Sequence, residues 1–342
     1  MSRAGYRVAI AGATGVVGQT MLSILSERDF PVGSLRLLAS ERSEGKVLPF
    51  RGEDVKIERL TEHSFHGVEL AFFSAGASRS KAFAPAAVKA GALVIDNSSA
   101  FRMDPEVPLV VPEVNPAAAS QHKGLIANPN CTTTVTVMAL KPLHDAATVR
   151  RVIVSSYQAV SGAGAQAVEE LREQVLAWTK GEEAKATVFP HPIAFNLIPH
   201  VDVFEESGYT REEMKLVHET RKLLGDATIK IAATTVRVPV WYAHSVSVTA
   251  ETERKITVGE ARQLFASFPG LELWDDPAHS QYPMPAMAVG KDACYVGRVR
   301  EDLSSDHGLH FWAVGDQLRK GAALNAVQIA ELVLEVTRPG AG

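Results

Sequence analysis

Two cysteines with unequal surroundings give the first chemical lead. Cys131 lies in Asn128-Pro129-Asn130-Cys131-Thr132-Thr133-Thr134, a polar, turn-forming stretch just ahead of a helical pattern. A thiol at a helix N-terminus is held toward thiolate by the helix dipole and the unpaired N–H groups, and a thiolate is a nucleophile for acyl transfer. Cys294, between Ala293 and Tyr295 in a strand-like run, reads as packing. A thiol nucleophile needs an acid/base partner. Among 11 histidines, His244 stands out because Arg237 precedes it in Val236-Arg237-Val238-Pro239-Val240-Trp241-Tyr242-Ala243-His244. A guanidinium in an otherwise apolar strand calls for a carboxylate, which a ligand can supply. Arg102, after Asn97-Ser98-Ser99-Ala100-Phe101, marks an anion site. Glu212 and Lys215 share one face of a helical pattern and, taken alone, read as an ordinary surface ion pair.

A second kind of chemistry needs no side chains. Gly12-Ala13-Thr14-Gly15-Val16-Val17-Gly18 joins a short apolar run to a helical pattern. Glycines there permit a tight turn and let backbone N–H groups approach a pyrophosphate at the helix N-terminus. The spacing is G-x-x-G-x-x-G rather than the strict dinucleotide fingerprint, so its placement after a buried strand carries the reading. At the end of the second strand stands Ser40-Glu41-Arg42-Ser43. Two hydroxyls and a guanidinium suit a 2′-phosphate and favour NADP over NAD, while Glu41 opposes it unless it points away.

The elements that must position these residues follow from periodicity. Val8–Ala11, Leu35–Ala39, Leu70–Ser74, Leu93–Ile95 and Leu109–Val111 read as buried strands, with helices from Val16 to Glu27 and Ala82 to Ala90. This alternation through residue 128 predicts a doubly wound parallel sheet. Beyond Cys131 a helix from Thr132 to His144 leads into longer Val-, Ile- and Thr-rich strands at Val149–Gln158, Ile229–Val240 and Ser245–Thr252. That half reads as α+β, a mostly antiparallel sheet with helices on one side. The segment from Ala322 to Val336 has helical periodicity and is expected to pack on the first domain. The chain shows no internal repeat.

Composition agrees. At 342 residues, 46% hydrophobic and 22% charged, the chain suits about two globular domains and excludes disorder or coiled coil as a description of the whole. A net charge of -4 gives no bulk footprint for nucleic acid or an anionic membrane. No apolar run approaches the ~18 residues of a bilayer span. The apolar stretch after Arg3 and Arg7 superficially resembles a secretion signal, but Gly12 and Gly15 interrupt it. Two cysteines are too few for a disulfide scaffold, and a reducing, cytoplasmic compartment is expected.

Together these pieces resemble the aspartate-β-semialdehyde dehydrogenase family over nearly the whole chain. The motifs run in the family's order: the N-terminal glycine turn, Ser40 to Lys46, Ser74-Ala75-Gly76, Asn97 to Arg102, the N-P-N-C-T-T box, Tyr157-Gln158-Ala159-Val160-Ser161-Gly162-Ala163-Gly164, Phe195 to Pro199, Glu212 to Lys215, Arg237 to His244 and Leu318 to Ala322. The resemblance implies a Rossmann-like α/β domain, residues 1–129 with 318–342, and an α+β catalytic and dimerisation domain, residues 130–317. It implies NADPH-dependent reductive dephosphorylation of L-aspartyl-4-phosphate, on the route to lysine (through diaminopimelate), methionine, threonine and isoleucine. Cys131 would form a thioester, His244 would be the general acid/base and Gln158 would orient the acyl group. Arg237 would hold the substrate carboxylate and Glu212 its ammonium, with Asn130 beside the nucleophile. Arg102 and Lys215 would hold the phosphate, which turns the Glu212–Lys215 pair from a surface pair into a pocket pair. Gly12, Thr14, Gly15, Val16, Val17, Ser40, Arg42, Ser43, Ser161, Gly162 and Gln317 would contact NADP. No metal is implied; a homodimer is, with a tetramer as the larger alternative.

Three positions depart from the family pattern. Ala127 and Ala243 stand where Gly often occurs, and Gln317 where Asn often does. None removes a group the chemistry needs. Competing readings are an N-acetyl-γ-glutamyl-phosphate reductase, whose acylated substrate has no ammonium for Glu212, and a non-catalytic NADP-binding relative, which would be expected to lose Cys131 or His244.

Overall fold

The computed structural model describes residues 5–335. Residues 1–4 and 336–342 of the expected first domain, with the end of its predicted last helix, lie outside the described residues. The chain divides into two compact units, one ending at Asn130 and resuming at Ala322, the other Cys131–Gly321.

In the first unit, β1 (Tyr6–Ala11), α1 (Val16–Glu27), β2 (Val32–Ala39), β3 (Val47–Phe50), β4 (Glu53–Arg59), β5 (Leu70–Phe73), α2 (Ala77–Lys89), β6 (Leu93–Asp96) and β7 (Leu125–Ala127) follow in order. They build a seven-stranded sheet ordered β3-β4-β2-β1-β5-β6-β7. All pairs are parallel except β3–β4. The order reverses at β1, so the crevice at the carboxyl ends of β1, β2 and β5 is the topological switch point where such sheets bind ligands. The helix Leu324–Val333 packs on this unit, its Leu324, Val327 and Ile329 joining Met21, Leu22 and Leu25 of α1 in one buried cluster.

Two features of this sheet differ from the sequence reading. Residues 109–111 are not a strand and make a single parallel bridge, Leu109 to Ala127. Pro108 and Pro112 flank the run and have no N–H for a ladder. Asn115 takes up the local backbone groups instead, accepting from Val111 N at 2.9 Å and donating to Leu109 O at 2.9 Å. The β3–β4 hairpin went unread. Its turn, Arg51-Gly52, has both residues at positive φ, 50° and 83°, but its strands are mostly exposed and lack an apolar face.

The second unit holds α3 (Cys131–Ala147), β8 (Val149–Gln158), α4 (Ala165–Thr179), α5 (Arg211–Leu224), β9 (Lys230–Arg237), β10 (His244–Thr252), α6 (Val258–Ser267), β11 (Leu271–Leu273), α7 (Pro285–Ala288), β12 (Cys294–Glu301) and β13 (Gly308–Gly315). Its six-stranded sheet runs β11-β12-β13-β10-β8-β9. The three central pairings are antiparallel and the outer two, β11–β12 and β8–β9, are parallel. Helix α3 lies against β8, β10, β12 and β13 and touches α5 and α6. Its inward residues Val135, Val137, Met138, Leu140 and Leu143 are all fully buried.

Register now places the chemistry. Gln158 ends β8 and pairs with Arg237, which ends β9. His244 opens β10, pairs with Gly315 at the end of β13, and precedes Ser245, the partner of Tyr157. Three polar side chains 79 and 7 residues apart in sequence therefore emerge at one end of one sheet. The sequence reading began the return to the first unit at 318, whereas the chain returns at 322. Residues 318–321 stay with the second unit, where a Cβ on Gly321 would come within 2.9 Å of the Cys131 Cβ.

Candidate active site

The first unit offers a cleft of about 230 Å³ at its switch point, lined by Gly12, Thr14, Gly15, Ala39, Ser40, Arg42, Leu60, Ser74, Ala75 and Arg79. Gly12 makes the cleft possible: its φ is +95°, and a Cβ there would lie 2.5 Å from Ser74 O. No side chain caps the N-terminus of α1 after Gly15, which leaves that end suited to an anion. Val16 and Val17 form its first turn, and Ser43 closes the short helical turn after β2; these three do not line the cleft. Glu41, the residue that opposed a phosphate, pairs with Arg59 at 3.4 Å and does not line the cleft. Arg79, which the sequence reading missed, does, so two arginines, Arg42 and Arg79, line this space. Its position three residues into α2, after Ser74-Ala75-Gly76, was the available signal. A dinucleotide fits these residues.

Elsewhere in the same unit, Arg102 is buried and donates from Nε to Asn128 O at 2.9 Å and from Nη2 to Asn97 O at 2.8 Å. Asn128 also bonds Asn97 and Asn325. The guanidinium thus ties together the segment that leads to Asn130, itself buried.

In the second unit Cys131 is the first residue of α3 and is half-buried, its Sγ 4.0 Å from Thr132 Oγ1. Cys294 is fully buried, as expected of packing. His244 is fully buried, and its Nδ1 accepts from Ala159 N at 3.1 Å. That bond fixes the tautomer: the neutral ring carries its proton on Nε2. Nε2 itself is buried with no hydrogen-bond partner, which is costly unless a ligand or reacting group satisfies it. Burial first, then the Arg237 charge, lowers the His244 pKa to about 3. A Cβ on Gly162 would sit 2.9 Å from Arg237 Nη1 and 3.1 Å from His244 Nε2, so only glycine leaves this space open.

Arg237 is buried and donates from Nη1 to Ala159 O at 2.7 Å. It has no ion pair within 4.0 Å among the described residues. Burial lowers its pKa, while Glu212 and Cys131 act in the opposite sense. Ala159, which the sequence reading quoted within its Tyr157-to-Gly164 motif without giving it a role, orders both the guanidinium and the neutral imidazole through its backbone alone, which no side-chain pattern could signal. Gln158 donates to Glu212 Oε1 at 3.2 Å and to Ser156 Oγ at 3.3 Å. Glu212 and Lys215 do bond each other, at 3.0 Å, and Lys215 also reaches Asp202 at 2.8 Å. Burial alone would lower the Lys215 pKa, but the two carboxylates raise it. The pair is therefore part of a three-charge cluster that runs from buried Glu212 through half-buried Lys215 to exposed Asp202 and is joined to Gln158, and Asp202 is its unforeseen member. Gln317 accepts from Ala243 N at 2.7 Å and donates to Ser161 Oγ at 2.5 Å, so it braces the residue before His244. No group of three potential metal ligands occurs among the described residues.

The chain is similar to known proteins over nearly its whole length. Family models described as "Semialdehyde dehydrogenase, NAD binding domain" and "Semialdehyde dehydrogenase, dimerisation domain" match residues 7–122 and 140–320. Aspartate-semialdehyde dehydrogenase of Aquifex aeolicus is 56% identical, with 97% of this chain and 98% of the relative covered. The chain belongs to the aspartate-semialdehyde dehydrogenase family. The Bacillus subtilis member is 50% identical over 96% of this chain and 97% of its own. A solved structure, aspartate semialdehyde dehydrogenase II of Vibrio cholerae complexed with ASA, is 46% identical with a TM-score of 0.94, covering 97% of this chain and 99% of that one. The family assignment makes this an oxidoreductase of amino-acid biosynthesis with an NAD(P)-binding domain and a dimerisation domain. No helix among the described residues is long and apolar enough to cross a membrane.

Proposed function

We propose that the chain carries out the NADPH-dependent reductive dephosphorylation of L-aspartyl-4-phosphate to L-aspartate-4-semialdehyde through a thioester on Cys131. The observation that carries this reading is Arg237: a buried guanidinium without a carboxylate partner, beside a buried imidazole whose Nε2 has none either. A substrate with a carboxylate at one end and a reacting acyl group at the other supplies both.

In this reading Cys131 attacks the acyl carbon and phosphate leaves with the bond electrons. Bound NADPH supplies the hydride that reduces the thioester. His244, protonated on Nε2 and neutral at pH 7, hydrogen-bonds the oxyanion formed when hydride adds to the thioester, and the oxyanion's collapse expels the Cys131 thiolate and releases the aldehyde with no net proton transfer. Arg237 holds the α-carboxylate as a bidentate fork, and Glu212, set by Gln158, holds the ammonium. Gln158 then acts on the substrate chiefly through Glu212, with acyl orientation as its second role. Lys215 and Arg102 take the phosphate. Asn130 precedes the nucleophile and orients it. The dinucleotide is held by Gly12, Thr14, Gly15, Val16 and Val17, with Ser40, Arg42 and Ser43 on its 2′-phosphate; Ser161, Gly162 and Gln317 are the second unit's cofactor contacts. The first unit is the cofactor domain, and the second the catalytic and homodimer-forming one. A cytoplasmic setting, which keeps Cys131 reduced, suits this chemistry.

The test is reduction of NADP, with NAD in parallel, driven by L-aspartate-4-semialdehyde with and without phosphate. Activity should require phosphate and favour NADP, and Cys131→Ala should lower turnover at least about 10³-fold while NADPH binding stays near wild type. Activity confined to N-acetylglutamate semialdehyde, or appreciable turnover by Cys131→Ala, would refute it.

A further inference from the structure

Residues 181–209 run without a helix or strand between α4 and α5, an unusual length for an unstructured connection in a compact unit. Two side chains of α4, one turn apart, hold it. Glu170 accepts from Thr187 N at 2.7 Å, Thr187 Oγ1 at 2.6 Å, Val188 N, and Phe189 N at 3.4 Å. Gln174 donates to Lys185 O at 2.8 Å and accepts from Ile193 N and Ala194 N at 2.8 and 2.9 Å. Both side chains are almost fully buried, and Gln174 also donates to Glu170 at 3.2 Å. Three consecutive N–H groups on one carboxylate form an internal anion nest, built from charge-assisted bonds about twice as strong as neutral ones.

What this clamp positions is Arg237. The Phe189 ring lies under the Arg237 guanidinium, 5.7 Å from its centroid, within cation–π range. Farther along the same segment, Ile198 pairs with the Arg237 backbone in both directions, at 3.0 and 2.8 Å. Val160, Ala167, Leu171, Ile193 and Ile198 then close a small core beneath it. Ring, strand bridge and Ala159 O together leave the guanidinium little freedom.

We propose that Glu170 and Gln174 are positioning residues for the substrate carboxylate, acting through Phe189 on Arg237; this rests on Arg237 being the carboxylate ligand. Preorganising a fork raises affinity by removing the cost of ordering it on binding. Glu170→Gln places an N–H₂ group among the converging N–H donors and loosens the nest. Phe189→Leu removes the ring from a half-exposed position without touching the nest.

The test measures KM for aspartate semialdehyde, KM for NADP and kcat in Glu170→Gln, Phe189→Leu, Glu170→Asp and Arg237→Lys, and in Glu170→Gln combined with Arg237→Lys. Glu170→Gln and Phe189→Leu should each raise the semialdehyde KM about tenfold with NADP KM and kcat within twofold, and Glu170→Asp should recover most of the loss. In the Arg237→Lys background Glu170→Gln should add less than twofold, since both act on one contact. A fall in kcat or thermal stability without a semialdehyde KM change, or full additivity with Arg237→Lys, would overturn the clamp. If Arg237→Lys itself leaves KM unchanged, the carboxylate assignment falls. If Arg237→Lys raises KM but Glu170→Gln and Phe189→Leu do not, only the clamp falls.

Discussion

The two halves of this protein make binding sites by opposite means. The cleft of the first unit is mostly backbone: a positive-φ glycine, an uncapped helix end and the switch point of a parallel sheet. The proposed catalytic end of the second unit is side chains: an imidazole, a guanidinium and an amide brought together by strand register, with a three-charge cluster on α5 and the segment before it joined to the amide. A backbone site tolerates side-chain changes around it but fails when its geometry changes. A side-chain site keeps its geometry and fails one group at a time.

The sharpest way to break this comparison is Gly12→Ala. A side chain at φ +95° is strained, and its Cβ would meet the Ser74 backbone at 2.5 Å. A loss of at least about 2 kcal/mol is expected, because backbone cannot yield as a side-chain end would. Dinucleotide affinity, measured by fluorescence titration, should fall more than about tenfold. The alkylation rate of Cys131 by iodoacetamide should stay near wild type, because the thiol belongs to the other unit. Unchanged dinucleotide binding would show that the glycine turn is structural only.

A second, intermediate effect probes the side-chain site through pH. His244 stays neutral in the folded chain down to about pH 3, while its ordinary value is 6.5. The unfolded state therefore binds the extra proton between these limits. Folding stability falls as pH drops below about 6.5, by up to about 1.4 kcal/mol per pH unit from this residue alone. Burial also lowers the pKa of His144 and His310, so the comparison is with His244→Gln, which keeps those two. Urea midpoints from pH 7 to pH 5 should fall less steeply in the variant. Parallel curves would mean that His244 is not buried as a neutral ring.

These two tests mirror what was legible in the sequence. The glycine turn could be read because local backbone demands leave local residue signatures, and the apolar runs of β1, β5 and β6 likewise announce themselves as buried strands. Leu109–Val111 misled for the same reason: the apolar signal was present, but Pro108 and Pro112 withheld the N–H groups a strand needs. Cys131, Arg237 and His244 could be singled out by neighbours that suit a site better than a core. Their convergence could not, because it depends on Gln158 pairing with Arg237 and His244 with Gly315 across the sheet. Asp202 and Phe189 left no trace, since each acts from an irregular segment through a contact that only the fold creates, and Ala159, quoted in a motif, gave no sign of its backbone contacts.

The smallest expected effect decides how the backbone site reads the cofactor's ribose. Glu41 sits among residues that should hold a 2′-phosphate and carries the wrong charge for it. In the structure it is exposed and turned to Arg59, an arrangement worth little in stability because water screens both partners. If that geometry governs binding, Glu41→Gln should change NADP affinity by less than about threefold, the equivalent of about 0.6 kcal/mol. Arg42→Ala in the same titration should weaken NADP about tenfold, as expected for one charge-assisted bond at an exposed site, and leave NAD nearly unaffected. A large gain in NADP binding by Glu41→Gln would mean that its charge does face the phosphate. Equal losses for NADP and NAD in Arg42→Ala would place the guanidinium on the shared part of the dinucleotide, and the preference between the two cofactors would then have to come from Ser40, Ser43 or Arg79.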